Sequence, residues 1–329
     1  MNKSSRNPVF SSLYPANAPS MKKACTISFL LLFALSGFAQ ISFSEAKQKY
    51  DEKKYNDAVG ILDKLILKND RDTQSYLLRG ISYFELQRLQ PAYNDLTRYI
   101  DLEPADGLAY LYRGELLEGT DQYFDAINDF NSAIKFGKDT VPASGYFHRG
   151  SCYLSVNNSK QAYGDLLQAY KLNPTDKEVR LNFGTILCHI DSIDQGIKIF
   201  KQLLAEDKND FVACQNIGYF SMNKEEYDTA LIYYNRTLQI NPKLGLTYNN
   251  RGFLKYKMGD NQNALKDINT SLKLDKTNSF AYKNRALISI SEGRINEACD
   301  DLIKARSLGF ADKYGNEVNQ LIQQHCKNR

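Results

Sequence analysis

One short pattern recurs along the chain at a nearly constant interval, and it limits the architecture more than any other feature. Tyr, Arg and a small residue come together at Tyr76/Arg79/Gly80, Tyr110/Arg113/Gly114, Tyr146/Arg149/Gly150, Tyr248/Arg251/Gly252 and Tyr282/Arg285/Ala286. The small residue also stands at Gly184 and Gly218, so the spacing is 34 residues apart from one step of 36. A second small residue follows twelve positions later, at Ala92, Ala126, Ala162, Gly196, Ala230, Ala264 and Ala298. Ala46 and Ala58 supply a degenerate first copy, and Pro104, Pro174 and Pro242 close three of the copies. Each copy shows two stretches of helical apolar spacing joined by turn residues, as at Met258-Gly259-Asp260-Asn261. Such a unit cannot bury its apolar face alone and must stack on its neighbours.

The pattern closely resembles the tetratricopeptide repeat, with small residues at positions 8 and 20 and Pro near position 32. The resemblance covers eight units: 39–72, 73–106, 107–142, 143–176, 177–210, 211–244, 245–278 and 279–312. It implies an all-α fold, a right-handed superhelical solenoid of about eight helix-turn-helix repeats with an inner groove. Residues 40–312 form the expected array, and 313–329 the expected C-terminal capping helix. Tyr at position 4 stands where the family often has Trp. Unit 5 departs from the pattern, with Arg180 at the aromatic position and Gly196 in place of Ala. The two-residue insertion falls near Gly137–Pro142, which predicts a longer turn.

Two positions vary together. Arg79, Arg113, Arg149, Arg251 and Arg285 at position 7 are matched by Asp95, Asp129, Asp165, Asp267 and Asp301 at position 23. Units 5 and 6 carry Phe183/Ile199 and Ile217/Tyr233 there, and unit 1 carries Glu45/Ile61. The acid occurs only where the base does. An unpaired charge beside a packed helix interface is costly, so five Arg–Asp pairs linking the two helices of a unit are expected. A row of arginines open to phosphate ligands is the less favoured reading, because each Arg has its own Asp.

The net charge of +4 has a local origin. Residues 1–39 contain Lys3, Arg6, Lys22 and Lys23 and no acid, so the remainder carries 38 charges of each sign. Mild basicity is therefore no argument for a nucleic-acid partner. Met21-Lys22-Lys23, the apolar run Ile27–Leu35, and Gly37 and Ala39 form the pattern of a secretory signal, cleaved before Gln40. Cys25 precedes the apolar core, which argues against a lipid anchor. Residues 1–20 are polar and unlike a signal, so Met21 is a candidate start. The leader is thus 1–39, and the mature chain is expected to be exported, periplasmic or secreted, with no integral membrane segment.

The family's groove register, positions 2, 5, 9, 12 and 13, implies a candidate peptide-binding face. It comprises Leu77, Ile81, Phe84, Glu85, Leu111, Glu115 and Glu118 in one half. In the other it comprises Tyr219, Met222, Phe253, Tyr256, Lys257 and Lys283. The Lys and Asn set with which chaperone-binding relatives clamp a carboxylate terminus is missing. The expected function is a non-catalytic scaffold holding a protein or peptide segment, its basic part near Glu115 and Glu118, within a cell-envelope assembly. Glycan or cell-wall recognition by the Tyr-rich groove is the alternative, weakened by the groove's aliphatic character.

Cys299 opens the second helix of unit 8, and Tyr314, Val318, Leu321 and Ile322 continue a helical pattern toward Cys326. A tail helix antiparallel to that second helix would bring Cys326 beside Cys299. A disulfide is the expectation, with two separate buried thiols as the alternative. Cys152 and Cys188, on first helices of adjacent units, form a second candidate pair, and Cys214 reads as core. His148, His189 and His325 are the only histidines, too few and too scattered for a zinc site. No phosphate loop, nucleophile elbow or metalloprotease motif is present, so neither catalysis nor a cofactor is expected.

Overall fold

A computed structural model describes residues 42–139 and 141–326. The expected leader, with its cleavage before Gln40, lies outside the described residues. The described chain is helical throughout, and it falls into two compact units, 42–179 and 180–326. The first holds α1 (Phe43–Asp51), α2 (Tyr55–Lys68), α3 (Thr73–Glu85), α4 (Leu89–Leu102), α5 (Gly107–Gly119), α6 (Tyr123–Phe136), α7 (Val141–Ser155) and α8 (Ser159–Leu172). The division falls within α9 (Lys177–His189). The second unit continues with α10 (Ile193–Glu206), α11 (Phe211–Asn223), α12 (Tyr227–Ile240), α13 (Gly245–Lys257), α14 (Asn261–Leu274), α15 (Ser279–Ser291) and α16 (Ile295–Ser307). It ends with α17 (Phe310–Tyr314) and α18 (Glu317–His325).

Helix starts follow from capping chemistry. The side chains of Asp72, Asp106, Asp210 and Asn278 each accept a backbone N–H in the first turn of α3, α5, α11 and α15. These are donors that no helical carbonyl can reach. Within each repeat, the turn between the helices places position 15 in the left-handed region: Lys53, Gln87, Asp121, Asn157, Asp191, Glu225, Gly259 and Gly293. The next residue then donates back across the turn, as in Lys54 N–H to Lys49 O and Glu226 N–H to Ser221 O. This is the Schellman closure, and only two of the eight turns use the glycine that suits it.

Small residues at positions 8 and 20 let paired helices approach. A Cβ added at Gly114 would lie 2.6 Å from the Phe130 ring. Every Ala at position 20, from Ala58 to Ala298, is fully buried. Phe130, Phe200 and Tyr234 fill the space opposite the glycines and are themselves fully buried. Removing one such ring from water is worth roughly 2–3 kcal/mol. Gly196 is not a loosened position: a Cβ there would meet Cys188 Sγ and the Gly184 carbonyl oxygen, each at 2.3 Å. Unit 5 thus exchanges an alanine methyl for a sulfur from the facing helix.

The Arg–Asp pairs are present and reach further than one repeat. Arg113 donates through Nε and Nη2 to both oxygens of Asp129, each at 2.7 Å, while Nη1 reaches Thr97 of the preceding repeat at 3.1 Å. Arg79 bonds Asp95 and Asp63, and Arg149 bonds Asp165 and Asn131. Arg251 bonds Asp267 and Asn235, and Arg285 bonds Asp301 and Asn269. The Tyr at position 4 lies against each guanidinium, with centroid distances of 5.4 Å at Arg251 and 5.7 Å at Arg79 and Arg113. Each arginine is therefore a staple across three helices, not an open anion site.

In the second unit, the tail closes on the last repeat. Phe310 and Tyr314 pack against Phe280, with ring centroids 5.0 and 4.5 Å away. Cys299 and Cys326 are joined by a disulfide with Cα atoms 5.8 Å apart. Cys152, Cys188 and Cys214 are buried free thiols, so the Cys152–Cys188 pairing is absent.

Candidate functional site

First helices of successive repeats lie side by side within each unit: α1 against α3, α3 against α5, α5 against α7, and then α11 against α13 and α13 against α15. Within each unit their outward edges make an inner face, and in the first unit Leu77, Phe84 and Glu85 of α3 and Glu115 of α5 retain exposure on it. Met222 of α11 and Phe253, Tyr256 and Lys257 of α13 do so in the second unit. Lys257 sits 5.6 Å from the Phe253 ring centre.

Several expected groove residues are corrected. Ile81 and Leu111 are 7% exposed and belong to the core, because the neighbouring first helix covers them. Tyr219 is 4% exposed and packs on Phe220. Lys283 is buried beneath the tail, its Nζ 3.1 Å from Glu317 and between the rings of Phe253 and Phe310. It is a structural cation, not a ligand contact.

Glu118 is the largest correction. It is buried, and its Oε2 lies 2.7 Å from His148 Nδ1, while the other ring nitrogen lies 3.4 Å from Glu115 Oε1. The imidazole stacks on Phe130 at 5.5 Å. Burial by itself would lower the His148 pKa, but the charges of Glu118 and Glu115 and the Glu118 hydrogen bond outweigh it and raise it to about 9. The ring is a cation at neutral pH, so Glu118 is spent on an internal pair. The Cys152 thiol beside Glu118 is pushed above its ordinary range, chiefly by burial, and stays protonated. Among the described residues no group of three or more His, Cys, Asp or Glu is placed to hold a metal.

What remains open on the first unit's inner face is aromatic and acidic. Tyr50 and Tyr55 have centroids 5.4 Å apart, and Phe84 meets Tyr112 edge-on at 5.3 Å. Burial, then the charges of Glu115 and Glu85, push the Tyr112 hydroxyl up to about 12. Burial, Tyr112 and Glu85 raise Tyr50 as well, and burial with Glu85 raises Tyr55. Glu85 therefore faces all three phenols. Tyr50, Tyr55 and Tyr112 were not singled out from the sequence. Their signal was the fall of Tyr50 at position 12 and Tyr112 at position 6, on the same helix faces as Phe84 and His148.

The family model described as tetratricopeptide repeat matches residues 212–244 and 247–278. A tetratricopeptide repeat protein from Parabacteroides merdae superposes with a TM-score of 0.67 at 18% identity, covering 76% of this chain and 98% of that one. Residues 212–244 and 247–278 thus match the tetratricopeptide repeat, and the helical fold is that of a tetratricopeptide repeat solenoid. The C-terminal part of a tetratricopeptide-repeat-containing protein from Cytophaga hutchinsonii also superposes, with a TM-score of 0.53, 20% identity, and coverage of 74% and 99%. At these identities the likeness establishes the fold alone. Among curated proteins, tetratricopeptide repeat protein 13 of Homo sapiens is 29% identical over 43% of this chain and 16% of its own length. The DnaJ homolog subfamily C member 7 homolog of Dictyostelium discoideum is 26% identical over 47% of this chain and 29% of its own. The chain thus spans less than a third of the length of either relative.

Proposed function

We propose that the mature chain is an exported, non-catalytic scaffold that holds an extended segment of another protein along the inner face of its tetratricopeptide repeats, as part of a cell-envelope assembly. The carrying observation is the row of first helices in the 42–179 unit, with Leu77, Phe84 and Tyr112 left partly open beside Glu85 and Glu115. Partly exposed apolar side chains spaced along neighbouring helices suit alternate side chains of a bound strand or one face of a bound helix. The export leader adds the address, and the buried disulfide in the second unit suits an oxidising compartment.

A photo-crosslinking residue replacing Leu77 or Phe84 should capture a partner in the envelope fraction. The same residue at Leu67 or Phe124, which are 88% and 73% exposed on second helices, should not. Equal capture from both sets would sink the inner-face reading. Recovery of a chain that begins upstream of Gln40 would sink the export reading.

A further inference from the structure

Five times in this molecule a tyrosine face and a carboxylate stand together, and each time an arginine fills the space between them. Arg79, Arg113, Arg149, Arg251 and Arg285 all lie within 5.7 Å of a position-4 tyrosine centroid while donating to an aspartate. The inner face of the 42–179 unit contains the same parts without the cation. Tyr50, Tyr55, Phe84 and Tyr112 supply rings, and Glu85 and Glu115 supply carboxylates. Among the described residues, Glu85 makes no ion pair and the hydroxyls of Tyr50, Tyr55 and Tyr112 make no hydrogen bond. Lys49 and Lys54, which flank this stretch, both turn to Glu52, at 3.7 and 2.9 Å.

The geometry points to a binding site for an arginine side chain of the partner segment, stacked on these rings and donating to Glu85 and Glu115. This inference rests on the scaffold reading above and names what that inner face selects. The ligand must be cationic, because Glu85 is uncompensated and Glu115 shares only the longer contact with His148. It must be rich in donors, because the two carboxylates only accept and the tyrosine hydroxyls can accept as well as donate. It must have a flat face, because the walls are aromatic. A guanidinium meets all three conditions: it is planar, carries five N–H donors and stacks on rings. An ammonium meets the first two but concentrates its charge at a point that two separated carboxylates cannot share as well.

The test is fluorine NMR on the mature chain labelled with 3-fluorotyrosine, with Tyr50, Tyr55 and Tyr112 assigned through single Tyr→Phe variants. Nα-acetyl-arginine amide should move these three resonances saturably, and Glu85→Gln should weaken the effect about tenfold. Glu85 is exposed, so that variant leaves the fold intact. No shift, or an equal response to the citrulline or lysine amide, overturns the assignment. Selection of random displayed peptides on the same protein separates the two readings. Peptides that crosslink to Phe84 without arginine dependence would reject the arginine site and keep the scaffold. Arginine-amide binding with no peptide captured on that face would keep the site and reject the scaffold groove.

Discussion

Repeats 2, 3, 4, 7 and 8 fasten their helices with charge, whereas repeats 5 and 6 use apolar contacts at the same positions. In the former, Asp95, Asp129, Asp165, Asp267 and Asp301 are at most 8% exposed and receive two nitrogens of an arginine. In the latter, Phe183, Ile199 and Ile217 are buried, and Tyr233 packs against the core cluster that contains Ile217. The helical hairpin is the same in both. The repeat geometry thus constrains volume and pairing at positions 7 and 23, but not polarity. Polarity must change as a set, and the set includes position 25 of the preceding repeat. Asp63, Thr97, Asn131, Asn235 and Asn269 stand there when an arginine follows; Leu167 and Lys201 stand there when none does.

The largest expected effect comes from removing half of one charged set. Asp129→Ala leaves the Arg113 guanidinium partly buried with only Thr97 to bond, and should cost about 3–5 kcal/mol in chemical denaturation. A loss below about 1 kcal/mol would place the pair among ordinary surface bridges and remove the contrast with repeats 5 and 6.

Repeat 4 also stands apart at position 6, where it has His148 and repeats 5 to 8 carry the amides Asn182, Asn216, Asn250 and Asn284. Only the histidine titrates. Its folded pKa of about 9 lies above the unfolded value near 6.5, so the folded state holds the proton more tightly. The stabilisation is complete below about pH 6.5 and is lost as pH rises through about 9. Two and a half units correspond to about 3 kcal/mol. His148→Gln should flatten stability across that window, and a slope that survives the substitution would assign it elsewhere.

The fold was legible because its decisive contacts are backbone approaches that repeat. Gly114 under Phe130 and Gly218 under Tyr234 impose the same small residue every 34 positions, whatever the surrounding chemistry. The Arg–Asp pairs were legible because both partners change together. Their third leg has the same covariation, yet it links one repeat to the previous one, and a comparison confined within repeats passes over it. The site was less legible because exposure depends on what lies across from a residue. Ile81 and Leu111 share a register with Phe84 but are covered by the adjacent helix. Lys283 is covered by a tail that has no counterpart in other repeats. Glu118 and His148 sit 30 residues apart, and their union depends on how α5 meets α7.

The smallest expected effect is the most direct test of equivalence between the two kinds of repeat. Arg113→Ile with Asp129→Tyr gives repeat 3 the pair found at Ile217 and Tyr233 in repeat 6. Desolvating a guanidinium and a carboxylate cancels most of their mutual attraction, so well-packed apolar replacements are often neutral. Thr97 then loses a donor but keeps access to water, and Tyr110 loses a cation beside its ring, which is worth about 0.5–1 kcal/mol at a partly exposed site. The double variant should therefore unfold within about 1 kcal/mol of the parent, against the much larger loss in Asp129→Ala. If it falls as far as the single variant, the charged set is a net source of stability, and repeats 5 and 6 must be held by something repeat 3 lacks. For repeat 5 the candidate is the close approach of Gly196 to Cys188 and Gly184.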